Sequence, residues 1–366
     1  MASSRSLSRR AVRPVVAAVA VVAVVATFAV TAWLTGPAAA SAGTQPAAPA
    51  AAAVRAAAPA APTGQGTLTR VAGADRIATS IAALKAGFPA QQSASAVVIA
   101  RADDFADALA GGPLAVRFQG PLLLTPSAGL RADIRTEIQR VLAPGHTVYL
   151  LGGTDAIAAA VDSQLQSLGF NPVRISGVDR YDTAVKIAGI LGDPPTVFEA
   201  DGTNFPDGLS AGPAAALSHG IVLLTAGRIE APATAAYLAL HSTDTRYAVG
   251  GPAAAADPGA QPLVGADRYA TSIVVARDLF AAPGVVTLAS GAVFADALSG
   301  GPLAAFEGAP MILVPSNGAL PAPVQVYLNK GSSSVLSAVL FGGTAAVSTP
   351  LAKAIAQALV LVPSAN

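Results

Sequence analysis

Three Asp-Arg pairs recur along this chain: Asp75-Arg76, Asp179-Arg180 and Asp267-Arg268, each inside a near-identical octet (GADRIATS, GVDRYDTA, GADRYATS). Each pair stands where a short apolar strand gives way to a helix-forming run. There the carboxylate can accept from the free N–H groups of the first helical turn. The arginine falls at the C-terminal edge of a sheet, where open α/β sheets bind ligands. Its planar fork can grip a phosphate or carboxylate through two parallel hydrogen bonds. The same guanidinium could instead bridge to a neighbouring repeat, and sequence leaves both roles open. A second acid follows each pair after 32, 28 and 29 residues: Asp107, Asp207 and Asp296. An Asp in a first helical turn suits the positive end of the helix dipole. It could also accept from the arginine of its own or an adjacent repeat, or from a hydroxyl-bearing ligand.

Little else points to chemistry. Gly152-Gly153, Gly250-Gly251 and Gly342-Gly343 each end a strand and open a helix. Backbone N–H groups at such turns can hold an anion, but a tight turn that only glycine permits is the better account, and nothing calls for a nucleotide. No phosphate-loop lysine, G-x-G-x-x-G, H-E-x-x-H or G-x-S-x-G is present. His146, His219 and His241 occupy non-equivalent places and read as loop or helix-end residues. Cysteine is absent, which excludes disulfides, Cys-ligated zinc and cysteine nucleophiles. The expectation is a chain with no catalytic residues, no metal and no cofactor.

The elements that position these residues repeat in a fixed order of four blocks. After each octet comes FADALAGGPLA at Phe105, FPDGLSAGPAA at Phe205 or FADALSGGPLA at Phe294. A short apolar strand follows, at Pro121, Ile221 or Pro310, and then an apolar strand running into the Gly pair, at Val148, Arg246 or Val339. In the first copy this predicts strands over 68–72, 96–100, 121–125 and 147–151. Helices are predicted over 76–86, 105–118 (kinked near Pro113), 131–142 and 155–168. Strands bare of polar residues and flanked by helices indicate parallel sheets covered on both faces. The second copy is shortened, with only PAAAADPGAQP after its Gly pair. The expected organisation is α/β, three tandem small Rossmann-like or Toprim-like domains over residues 67–170, 171–262 and 263–366.

Charge is split along the chain. Five of the 22 Lys and Arg residues precede residue 56, where no acid stands; the remaining 17 face 21 acids. A mildly acidic body argues against a nucleic-acid partner. Arg5, Arg9, Arg10 and Arg13 precede an apolar run over 14–34 and the small-residue stretch AAASAG. Residues 1–42 read as a cleaved signal peptide or, alternatively, an uncleaved anchor, which would be the chain's one contact with a membrane. Ser8-Arg9-Arg10 hints at a twin-arginine signal but lacks the bulky apolar pair after it. Residues 43–66, nearly all Ala, Pro, Gly, Thr and Gln, read as a linker.

The block order GADRYATS, FADALSGGPLA, PMILVPSNG and LFGGT resembles the cell wall binding repeat type 2 family, and the resemblance covers nearly everything from Leu68 to Leu359. It implies a pseudo-threefold module that attaches secreted proteins of Gram-positive bacteria non-covalently to an anionic secondary wall polymer. The family's ILL-type strand corresponds to Leu122-Leu123-Leu124, Val222-Leu223-Leu224 and Met311-Ile312-Leu313. Its polymer-contacting grooves point to Arg76, Arg180 and Arg268 as ligand-binding residues, with Asp75, Asp179, Asp267, Asp107, Asp207 and Asp296 beside them. No separate catalytic domain is expected; the alternatives are an amidase-like wall hydrolase and a surface protein whose repeats bind other proteins. The expected location is the cell wall of a secreting, Ala-rich, Lys-poor actinobacterium. Pro206 and Gly208 stand where the other copies have Ala, which puts the second copy's groove in question.

Overall fold

A computed structural model describes residues 66–331 and 333–363. The expected signal peptide, and the expected linker up to residue 65, lie outside the described residues. Among the described residues no helix is long and apolar enough to cross a membrane.

The described chain opens with β1 (Thr67–Val71) and α1 (Arg76–Gly87), then enters its first sheet unit. That unit holds β2 (Ala94–Arg101), α2 (Gly111–Arg117), β3 (Leu122–Thr125), α3 (Ala132–Val141), β4 (Leu142–Leu151), α4 (Ala159–Ser167) and β5 (Asn171–Ile175). The second follows α5 (Arg180–Leu191) with β6 (Thr196–Asp201), α6 (Pro206–Leu217), β7 (Ile221–Thr225), α7 (Pro232–Leu240), β8 (Thr245–Val249), α8 (Gly251–Ala256) and β9 (Gln261–Leu263). The third follows α9 (Arg268–Leu279) with β10 (Val285–Ser290), α10 (Ala295–Phe306), β11 (Met311–Val314), α11 (Ala322–Gly331), β12 (Ser337–Phe341), α12 (Thr349–Leu359) and β13 (Val362–Pro363).

Every strand pair within these sheets is parallel, and the orders are equivalent over four strands, β3-β2-β4-β5, β7-β6-β8-β9 and β11-β10-β12-β1, with β13 added beside β1 in the third. Continuous apolar strands such as Val97–Ala100 and Leu122–Leu124 are buried on both faces, as the sequence pattern requires. Each such Leu or Ile contributes roughly 1.5–3 kcal/mol by leaving water. The helices α2, α6 and α10 pack together at small residues: a Cβ added at Gly112 would lie 3.9 Å from the Gly212 Cα, and one at Gly301 3.8 Å from the Pro213 ring.

The sheets are offset by one strand from the sequence repeats. β5 begins at Asn171, beyond the repeat boundary read at 170/171, yet it pairs with β4 from Thr147↔Asn171 to Leu151↔Ile175. β1, which heads the first copy, instead pairs with β12 from Thr67↔Ser337 to Val71↔Phe341. The strand preceding each Asp-Arg pair therefore completes one sheet, and the helix after it covers the next. Other boundaries shift locally. The helix expected over 105–118 begins only at Gly111, after turns closed by Leu109 N to Phe105 O, whereas α6 and α10 carry their proline inside a continuous helix. The helix expected over 155–168 is confined to α4, and the shortened second copy still forms the brief α8.

Because β1 closes the third sheet, a chain beginning at Ala72 should unfold at lower urea than one beginning at Gly66. Amide protection should be lost first in β12. Equal midpoints and equal protection would contradict this closure.

Candidate functional site

The octet is first a helix-start device. Asp75, Asp179 and Asp267 cap α1, α5 and α9, accepting from the N–H groups of Ala78, Asp182 and Ala270 at 2.7, 2.9 and 2.8 Å. A cap of this kind is worth about 1 kcal/mol. The glycine two residues earlier donates its N–H to a threonine hydroxyl: Gly73 to Thr79, Gly177 to Thr183 and Gly265 to Thr271, at 3.0–3.1 Å. A Cβ at Gly73 or Gly265 would lie 2.3 Å from the carbonyl carbon of Ala78 or Ala270, so the close approach demands glycine. These threonines recur four residues after each Asp, a spacing that marks them in the sequence although a hydroxyl there carries no chemistry of its own.

The arginines span the boundaries between units. Arg76 Nη1 donates to the Ala102 carbonyl (2.8 Å), Arg180 to Gly202 (2.7 Å) and Arg268 to Gly291 (2.5 Å), each at the end of the sheet ahead. Each guanidinium also lies over a phenylalanine of the unit behind: Arg76 over Phe294 at 5.4 Å, Arg180 over Phe105 at 5.6 Å and Arg268 over Phe205 at 5.8 Å. The three rings meet one another with centroids 5.6, 5.8 and 5.9 Å apart. This triangle marks the pseudo-threefold axis. Its pairs, two edge-to-face and one tilted, are worth about 0.5–1.5 kcal/mol each, and a cation–π contact about 0.5–1 kcal/mol where exposed. Among the described residues, no hydrogen bond or ion pair engages Nε or Nη2 of any of the three arginines. Each keeps donors for a ligand while one Nη is spent on architecture.

Asp107, Asp207 and Asp296 sit under the Gly-pair turns. Gly152, Gly250 and Gly342 adopt φ of +101°, +88° and +99°. A Cβ there would meet the Oδ2 of Asp107, Asp207 and Asp296 at 2.5, 2.0 and 2.5 Å. Burial, reinforced by the charge of Asp201 and opposed by Arg268, pushes the Asp207 carboxyl up to about 6. Burial also raises Asp296, against the Thr79 hydroxyl and the charge of Arg76. Asp207 and Asp296 thus each feel an arginine of the next unit. The direct Asp–Arg pairing considered from sequence does not form among the described residues, because the guanidinium is turned onto a carbonyl and a ring. Two further arginines hold the Gly turns. Arg70 donates to Gly342 O (2.6 Å) and Val347 O (2.9 Å), and Arg174 to Gly152 O (2.9 Å) and Gly153 O (3.0 Å). Pro262 stands at the corresponding register position in the second sheet.

Between the second and third units lies a polar cleft of about 270 Å³, lined by Asp201, Asn204, Asp207, Asp267, Arg268 and Thr271. It brings together three of the residues singled out in the sequence: Asp207, Asp267 and Arg268. Pro206 is accommodated at the first turn of α6, and Gly208 fits against Leu109 of the first unit, where a Cβ would come within 3.1 Å. A larger apolar groove of about 630 Å³ between α9 and α11 contains none of the recurring residues. The histidines stand apart from the cleft: His146 on the Ser95 carbonyl, His219 just past the end of α6, and His241 at the end of α7, stacked on Tyr237.

Residues 70–162, 174–258 and 263–352 match the family described as Cell wall binding domain 2 (CWB2). The chain is 26% identical over 300 residues to the N-acetylmuramoyl-L-alanine amidase LytC of Bacillus subtilis, covering 80% of this chain and 59% of that protein. It is 25% identical over 280 residues to the amidase enhancer of the same organism, covering 74% and 39%. The chain therefore spans less than two thirds of either relative. Among solved structures, Cwp8 from Clostridium difficile superposes with a TM-score of 0.73 at 24% identity, covering 81% of this chain and 52% of that one. Cwp6 from the same organism gives 0.72 at 23% identity, covering 81% and 48%. At these identities both report the fold.

Two outcomes follow for the buried acids and their glycines. Gly342→Ala should cost about 1–3 kcal/mol from backbone strain alone, and more from the Asp296 contact, whereas Gly343→Ala, with nothing within 4 Å, should be near neutral in urea unfolding. A raised carboxyl pKa favours folding most below about 3.8, and the advantage is lost as pH rises through about 6. Asp207→Asn should flatten the stability–pH curve over that window; an unchanged slope would show the carboxyl to be solvated.

Proposed function

Because the chain belongs to the cell wall binding domain 2 family, we propose that it binds an anionic secondary wall polymer, non-covalently and without catalysis, at the junctions between its units. The carrying observation is that each junction presents a guanidinium already fixed at Nη1 and over a ring, with Nε and Nη2 left unengaged among the described residues. A side chain held in place loses little further entropy when it takes a ligand. Nε and Nη2 form one edge of the fork that fits a phosphate or carboxylate.

The carboxylates define what else the polymer must offer. In the cleft between the second and third units Asp201, Asp207 and Asp267 surround the one arginine, Arg268. An anion alone would meet a net negative wall. A sugar chain carrying spaced anionic groups satisfies both, with the charge on the guanidinium and hydroxyls donating to the carboxylates. The capping aspartates position the arginines, and Asp107, Asp207 and Asp296 line the junctions or brace them. Three such contacts on one rigid body would retain a repeating polymer by avidity even when each is weak. This reading places the protein outside the membrane, exported and held on the wall, with nucleic acid not a partner.

The resemblance to an amidase favours one competing reading, wall hydrolysis. A zymogram on wall-containing gels separates the two: the binding reading predicts no cleared band. Residues 66–366 should pellet with purified walls and remain in solution once the secondary polymer is extracted. Arg268→Ala should weaken retention about 10- to 100-fold, in keeping with the 1.5–3 kcal/mol of a charge-assisted hydrogen bond, and Arg268→Lys should recover only part of it. Pelleting unchanged in a folded Arg76→Ala, Arg180→Ala, Arg268→Ala triple variant would overturn the assignment.

A further inference from the structure

The second unit carries an acid where its siblings carry apolar core. By strand register, Glu199 on β6 pairs with Leu223 as Ile99 on β2 pairs with Leu123 and Leu288 on β10 with Ile312. The central strand of this sheet therefore bears a carboxyl at a position that is otherwise aliphatic. Glu199 is 0% exposed, and neither of its oxygens has a hydrogen-bond partner. Glu230, from the turn between β7 and α7, has both oxygens buried and equally without a partner.

Two other charged groups face this pair. Asp257, at the end of the short α8, is buried and forms an ion pair with Arg246 of β8 at 2.7 Å. These are the charged groups acting on Glu199 and Glu230 among the described residues: Asp257 on both, and Arg246 on Glu230. One guanidinium cannot neutralise three buried carboxylates, and it is already paired with Asp257. Glu199 and Glu230 act directly on each other, and their four buried acceptor oxygens with no donor would be strongly unfavourable. No group of three acids or histidines among the described residues is arranged to hold a metal ion. A proton is the simplest donor that fits.

We propose that Glu199 and Glu230 share one proton in the folded protein, so that the second sheet unit is a proton-held element that loosens at alkaline pH while the first and third units do not. One carboxylic acid donating to one carboxylate supplies the missing hydrogen bond and reduces the buried charge to one pair and one anion. The chemistry agrees: burial, then the neighbouring carboxylates of Glu230 and Asp257, push Glu199 up to about 10, and burial raises Glu230 as well. Because both are raised, the folded pair holds more protons than the unfolded chain above the ordinary carboxylate value of 4.5, two until the first carboxyl ionises and one after that. The associated stability is complete below 4.5 and is lost progressively as pH rises through the folded value. β6 runs directly into Asp201 and Phe205, so its opening would reach the cleft whatever ligand that cleft takes.

The test uses the full chain and does not depend on wall binding. Hydrogen exchange should show the protection of β6–β9, corrected for intrinsic base catalysis, falling by up to tenfold per pH unit between pH 6 and 10, the limit for one proton. Protection in β2–β5 and β10–β12, which carry Ile99 and Leu288, should stay flat. Because burial raises Glu230 as well, both carboxyls are replaced: Glu199→Gln with Glu230→Gln, and Glu199→Leu with Glu230→Leu, should each remove the slope in the second unit. Should neither variant fold, infrared spectra of the wild type decide alone: a protonated carboxyl band persisting to pH 8 supports the shared proton. Parallel protection in all three units, a slope unchanged in the variants, or fully ionised carboxyls at pH 7 would overturn it.

Discussion

The arrangement rests on a guanidinium fixed between two sheet units. Each of Arg76, Arg180 and Arg268 donates to a strand-end carbonyl ahead of it and lies over a phenylalanine behind it, and the three phenylalanines meet on one axis. The capping Asp, the Gly–Thr contact and the strand that completes the previous sheet all serve to place that arginine. A cation–π contact with a neighbour tolerates the guanidinium's remaining donors facing water, whereas a buried salt bridge would have consumed them. The same side chain can therefore join units and present a ligand fork.

The units are equivalent in topology but not in chemistry. The second has a shortened helix after its Gly pair, Pro262 where the others place an arginine on the Gly turn, and a buried acid cluster in place of aliphatic core. These departures lie together around β6 and β8 and leave the Phe–Arg geometry intact. A pseudo-symmetric module can diverge within one unit as long as its contribution to the axis is kept. The cleft at the second–third junction gathers three carboxylates around Arg268.

Much of this was legible in the sequence, for reasons particular residues show. The strands Val97–Ala100 and Leu122–Leu124 announce themselves because burial on both faces removes every polar residue. Asp75, Asp179 and Asp267 cap helices as their position before helical runs requires. Sequence order hid the one-strand offset: β1 reads as the start of the first repeat and pairs with β12, some 270 residues away. Nothing local marks such a partner. The destination of the arginines was equally hidden, since a ring contributed by another repeat leaves no trace at short range. Glu199 was visible as an acid in an apolar run, TVFEAD, yet only the strand register shows that its siblings there are Ile99 and Leu288.

The most direct test observes the arginines themselves. In an NMR titration of the protein with purified secondary wall polymer, the side-chain Nε–Hε signals of Arg76, Arg180 and Arg268 should shift together and saturably. Those of Arg101 and Arg140, held by Asp103 and Glu137 on the same body, should not. Saturable binding that moves other resonances and leaves these three in place would contradict the account.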